Sequence, residues 1–200
     1  MTGYPMQFAA ERRSLSWAGT TLALAFLVFL PVATAQVRTV PLAMPLTRVV
    51  PDVAVVDQDG RPKRFYTDLV RGKVVAINFV YTACSSACPA MGQRFAQIQR
   101  QLGARLGQDV FLITISTDPA KDTPAKLKAW AAPFQPASGW TLVTGEVAPV
   151  QQILKVLTGN SVGQGTHLPL IVLYNDRQTR WREVFGLAPL VQLSQALTSW

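Results

Sequence analysis

The feature that most restricts the fold is Val74–Val80, which reads V-V-A-I-N-F-V. A nearly continuous apolar run of this kind predicts a strand buried on both faces. Val110–Ser116 has the same character. Between the two, Met91, Phe95, Ile98 and Leu102 recur every three or four residues, the spacing of an amphipathic helix. Pro89 is predicted as the first residue of that helix, where its missing N–H costs nothing, and Gly107 marks its end. Two buried strands joined by a helix suit a right-handed parallel crossover.

The remaining elements follow from turn residues and periodicity. Asp52–Val56 and Arg61–Tyr66 flank Asp57-Gln58-Asp59-Gly60 and predict a hairpin. Thr123-Pro124 opens a helix running to about Ala132; Trp140–Val143 is a short strand and Val147–Leu157 a helix. Gly159–Gly165 is a loop leading to His167. Leu170–Tyr174 and Arg180–Phe185 form a hairpin around Asn175-Asp176-Arg177, and Pro189–Thr198 is a closing helix. This order predicts an α/β fold: a central mixed sheet flanked by helices, with an N-terminal β-hairpin. Hydrophobic residues, 49% of the chain, suffice for the core this requires.

The N-terminus reads differently. Arg12 and Arg13 precede Ser14–Val37, which holds no charged residue, and Ala33-Thr34-Ala35 follows the most apolar part, Leu22–Leu30. A basic start, an apolar stretch and an A-x-A site describe a secretory signal peptide. The uncharged run is also long enough for a retained membrane anchor, which needs roughly 20 residues. Residues 1–35 are therefore read as signal peptide or anchor, 36–50, with Pro41 and Pro45, as a linker, and 51–200 as the folded domain. Either reading of the first segment puts the domain outside the cytoplasm.

The net charge of +8 raises nucleic-acid binding. The basic residues are spread out, with one loose cluster at Arg61, Lys63, Arg64, Arg71 and Lys73, and a solvated basic surface is the favoured reading. Such a surface can also steer the protein towards an acidic partner or an anionic membrane.

Only two cysteines, Cys84 and Cys88, and one histidine, His167, occur. The cysteines lie in Tyr81-Thr82-Ala83-Cys84-Ser85-Ser86-Ala87-Cys88-Pro89, between a buried strand and a helix N-terminus. Free N–H groups and the helix dipole there favour a thiolate. The pair can then act as a redox couple or as soft ligands for Cu(I) or zinc. A single stabilising disulfide is the plain alternative, although a bridge closing so short a loop removes little unfolded-state entropy.

His167 lies just before the predicted strand Leu170–Tyr174. Sites in open α/β sheets form outside the carboxyl ends of strands. In a thioredoxin-like arrangement, the loop before the third main strand packs against the cysteine loop. That topology predicts His167 beside Cys84 and Cys88, as two thiolates and an imidazole for one copper ion. In Ser116–Pro124, at the same end, Asp122 or Thr123 is predicted to cap the next helix rather than ligate a metal.

These residues together resemble the Sco/SenC family of copper proteins. The likeness covers most of residues 51–190. It runs through Asp57-Gln58-Asp59-Gly60, Gly72-Lys73-Val74-Val75, Asn78-Phe79-Val80-Tyr81-Thr82, the Cys84/Cys88-Pro89 motif, Asp118-Pro119, Asp122-Thr123-Pro124, Thr144-Gly145 and His167. The resemblance implies a thioredoxin-like fold. It also implies one copper, as Cu(I) or Cu(II), held by Cys84, Cys88 and His167. The implied role is assembly of the dinuclear copper centre of cytochrome c oxidase subunit II, or of a similar exported copper protein. The implied place is periplasmic, or anchored on the outer side of the inner membrane, with no nucleic-acid partner. Members act as copper donors, as thiol–disulfide reductases of the target cysteines, or as both; in the second role Cys84 and Cys88 are the redox pair. Thr166 departs from the acidic residue often found before the family's histidine. A thiol peroxidase of the same superfamily ranks last, because the motif is a close cysteine pair with a histidine partner.

Overall fold

A computed structural model describes residues 48–159, 162–163, 166–167 and 169–200. The predicted signal or anchor and most of the predicted linker lie outside the described residues. The central strand is β3 (Val74–Val80), paired in parallel with β4 (Val110–Ser116) and antiparallel with β8 (Leu170–Asn175). Both β3 and β4 keep the bounds predicted from their apolar runs. β5 (Trp140–Thr144) extends the sheet in parallel beside β4. The hairpin β1 (Ala54–Asp57) and β2 (Pro62–Arg64) closes one edge, and β9 (Arg180–Phe185) the other. The resulting mixed sheet has seven strands in the order β2-β1-β5-β4-β3-β8-β9.

Alternation along β3 divides the interior. Ala76 and Val80 face the layer of α1 (Ala87–Leu102), α2 (Pro124–Ala131) and α4 (Leu190–Thr198). Val75, Ile77 and Phe79 face α3 (Val147–Thr158) and the turn at Phe65–Val70. Each buried aliphatic side chain contributes about 1.5–3 kcal/mol of transfer free energy, so the two apolar layers fix which helix covers which face. In the first layer the Trp140 indole packs at a tilt against Phe95, with ring centres 5.6 Å apart, and its N–H donates to Thr114 Oγ1 at 2.9 Å.

Four expectations are corrected. The predicted second arm of the hairpin, Arg61–Tyr66, is a strand only at Pro62–Arg64. Phe65–Val70 instead forms a wide, π-helical turn that buries Phe65, Leu69 and Val70. Helix α1 begins at Ala87, so Pro89 is its third residue rather than its first. The first four N–H groups of a helix lack intrahelical acceptors, so proline is tolerated there too. The same helix ends at Leu102, where Gly103 turns with φ of 52°, and a short 3-10 turn covers Gly103–Arg105 before Gly107. The loop before His167 contains a small antiparallel ladder, β6 (Val162–Gly163) with β7 (Thr166–His167).

Packing also starts earlier than residue 51. Val50 is buried, and Arg48 reaches Glu183 on β9 at 2.6 Å and the Leu157 carbonyl at 3.2 Å. No helix among the described residues is long and apolar enough to cross a membrane.

Candidate metal and redox site

Buried β3 delivers the chain to one end of the sheet, where Tyr81–Cys84 form a turn closed by the Cys84 N–H and the Tyr81 carbonyl at 3.1 Å. Three residues later α1 begins, with Ser86 before its first residue and no side-chain cap from it. The vacancy is filled by sulfur. The Cys88 N–H, in the first turn, donates to Cys84 Sγ at 3.4 Å, and Ser86 Oγ lies 3.7 Å from the same sulfur. Both cysteines are free thiols and buried, with exposures of 6% for Cys84 and 1% for Cys88.

This geometry makes the thiols unequal. Burial pushes Cys84 up, but the Cys88 thiol, the N–H groups of Cys88 and Ser86 and the Ser86 hydroxyl all favour its anion and bring it down to about 7. Burial pushes Cys88 up, and its donation to Cys84 adds to that; against a backbone N–H from Tyr81, it reaches about 12. The Tyr81 phenol is itself pushed up by burial and by the neighbouring Cys84 and Cys88 sulfurs, so its hydroxyl joins the same cluster. At neutral pH the arrangement is one thiolate-forming sulfur with a protonated partner beside it. That suits nucleophilic attack on a disulfide, with the second thiol as resolving group. Two converging soft donors also suit a soft metal ion.

Asp122 braces this loop from below. Its carboxylate accepts from Thr82 N–H at 3.2 Å, Thr82 Oγ1 at 2.5 Å and Ser116 Oγ at 2.7 Å, and its carbonyl accepts from Thr144 Oγ1 at 2.8 Å. It is 3% exposed. The helix cap falls to Thr123, whose Oγ1 accepts from Lys126 N–H. Of the two predicted cap candidates, one caps and the other ties the end of β4 to the cysteine loop. Thr117 N–H adds a second tie, donating to the Val80 carbonyl at 2.8 Å. The sequence signal for Asp122 was present in its position before a Thr-Pro cap, but only the fold reveals what it reaches. Beneath the loop, both amide atoms of buried Asn78 find no hydrogen-bond partner among the described residues.

His167 lies on β7, opposite Val162. The structure describes its backbone position and not its side chain. Two residues on, the Pro169 carbonyl accepts from Gly186 N–H at 2.7 Å. Among the described residues no group of three His, Cys, Asp or Glu side chains is close enough to hold a metal ion. Two members of the basic cluster of the sequence pair with carboxylates: Arg61 lies 3.7 Å from Asp59, which Lys128 also reaches at 2.8 Å, and Arg64 lies 3.1 Å from Asp52.

The sequence model of the SCO1/SenC family matches residues 45–159, a segment that includes both cysteines and stops short of His167. The SCO1 protein homolog of Bacillus subtilis is 32% identical over 129 residues, covering 64% of this chain and 62% of that protein. A Stutzerimonas stutzeri protein with a provisional copper-binding designation is 31% identical over 116 residues, covering 58% of this chain and 55% of its own length. The chain thus spans less than two thirds of these relatives. Among solved structures, Bradyrhizobium japonicum ScoI with copper bound is 26% identical, with a TM-score of 0.59 over 74% of this chain and 96% of that one. BsSco, described with a disulfide switch and as a member of the Sco family of cytochrome c oxidase assembly proteins, gives a TM-score of 0.64 at 23% identity, over 75% and 91%. These likenesses carry the thioredoxin-like fold.

Proposed function

The chain belongs to the SCO1/SenC family, and from that premise we propose that it is a copper metallochaperone. One copper ion, as Cu(I) or Cu(II), is cargo held by Cys84, Cys88 and His167. The recipient is the dinuclear copper centre of cytochrome c oxidase subunit II or a similar exported copper protein. Residues 1–35 act as signal peptide or anchor and 36–50 as linker. The domain then works in the periplasm or on the outer side of the inner membrane.

The observation that carries the reading is the pair of reduced sulfurs converging on one point at the mouth of a rigid strand. The copper-bound state of the Bradyrhizobium japonicum relative supports copper as the soft ion. The chain's own residues do the rest. Cys84 supplies a thiolate near neutral pH, Cys88 releases a proton on ligation, and Asp122 holds the loop in place.

A second reading is favoured by the unequal thiols. As a thiol–disulfide reductase, Cys84 attacks a target disulfide, and Cys88 then displaces the target thiol and closes an intramolecular disulfide. Two electrons and two protons pass to the target, and an exported dithiol reductant restores the pair.

Anaerobic titration of the reduced protein with Cu(I), against a chromophoric chelator, separates the readings when His167→Ala is run alongside. One-to-one binding that weakens clearly in the variant is the expected result. Binding indifferent to His167 would remove the third ligand and put the reductase first.

A further inference from the structure

Helix α1 carries Cys88 and, three residues on and on the same side, Met91. Met91 is 1% exposed. A methyl group built on Gly186, just after β9, would lie 2.5 Å from both Sδ and Cε of Met91 and 3.2 Å from the Pro169 carbonyl oxygen. The Gly186 N–H holds that same carbonyl at 2.7 Å. Arg94, one turn further along α1, adds a contact from Nη2 to the Leu187 carbonyl at 3.5 Å. The cysteine helix, the end of β9 and the segment two residues beyond His167 therefore meet around Gly186, where a side chain fits only if the Met91 tip gives way.

We propose that Gly186 is a positioning residue: by letting the Met91 tip close on it while its N–H holds the Pro169 carbonyl, it sets the spacing between the cysteine helix and the segment that carries His167. The inference rests on the reading of His167 as a copper ligand. Gly186 has no positive φ to account for, so its lack of a side chain answers to this close approach rather than to backbone conformation. Met91 fits the part because a flexible thioether fills an irregular gap where a branched side chain would not. A methyl group at 186 must displace either the Met91 tip or the Pro169 carbonyl. The first loosens the helix side of the joint, and the second moves the segment leading back to β7.

The test is a set of Cu(I) titrations on the full reduced chain. The variants are Gly186→Ala, Met91→Ala and the double variant, each made with His167 and with His167→Ala. Gly186→Ala is expected to weaken Cu(I) binding by about tenfold, within the range for residues in contact. The Cys84 alkylation rate should stay unchanged. The double variant should bind more tightly than either single variant, because the new methyl fills part of the space that shortening Met91 opens. In the His167→Ala background, Gly186→Ala should have no further effect. If His167→Ala weakens binding and Gly186→Ala does not, the joint has no positioning role. If His167→Ala itself changes nothing, the ligand reading fails. In that case the backbone amide shifts of residues 166–170 in copper-free Gly186→Ala decide the joint separately: unchanged shifts overturn it. Should Gly186→Ala not fold, Met91→Ala alone, which loosens the same contact, is expected to weaken binding only while His167 is present.

Discussion

The Cys88 N–H points at the sulfur of Cys84 from 3.4 Å, so one cysteine caps the helix that begins beside the other. The cap stabilises a thiolate at Cys84 and leaves Cys88 protonated. Cys84 sits at about 7, below the ordinary thiol range. A lowered value means the anion is lost as pH falls through 7 and is complete above it. The alkylation rate of Cys84 by iodoacetamide is expected to rise through pH 7 and level off by pH 8.5. Cys88, at about 12, should react slowly throughout. Cys88→Ala removes the thiol donor and should move the Cys84 midpoint upwards. Mass spectrometry of the labelled peptide checks both.

Asp122→Asn breaks up the acceptor that Thr82 and Ser116 share. The loss is expected to be about 2–3 kcal/mol, the size for buried hydrogen bonds to a charged group. Urea unfolding measures it. Because the bonds end on the cysteine loop, Cu(I) affinity should fall as well. A loss of stability with unchanged affinity would confine Asp122 to the fold.

Gly92 lies where α1 crosses Phe134, and a methyl group there would run into the Phe134 ring. Gly92→Ala is expected to cost about 1–3 kcal/mol through overpacking. Phe134→Leu in the same chain should return part of it. Thermal unfolding of the parent and the two variants is the check.

Arg48 ties the start of the folded body to β9 and α3, and its guanidinium stands 5.7 Å from the Trp181 ring. Arg48→Ala is expected to cost about 1–2 kcal/mol, since the bonds are charge-assisted but the Glu183 side chain is 34% exposed. Raising salt should shrink the difference between variant and parent in urea unfolding, because the ion pair is screened.

Much of the fold was legible because its middle is made of unbroken apolar runs. β3 and β4 need no partner information to be found, and neither does the hairpin of β8 and β9. Arg61–Tyr66 misled because it follows a hairpin-type turn, while burial of Phe65 and Leu69 in the second layer pulls its end into a turn. Pro89 shifted because proline is acceptable anywhere in a first turn. At the site, the cysteine loop was readable from its place between strand and helix. The bracing by Asp122 was not, since its partners lie up to 40 residues away in sequence. Gly186 gave no signal at all: a lone glycine in sequence does not say what approaches it.

Strand β3 has no outside. It is bonded along both edges and covered on both faces, and six of its seven residues are buried. Most sequence change is absorbed at surfaces, where a new side chain meets only water. Here none of those six positions offers such an outlet, and the loop that follows inherits the restriction. A saturation-mutagenesis scan of the chain should find Val75–Val80 among its longest stretches of intolerance, together with the neighbouring buried run Leu112–Asp118. A lineage carrying this protein can therefore vary the helices and edges that shape recognition while the mounting of the two sulfurs stays fixed.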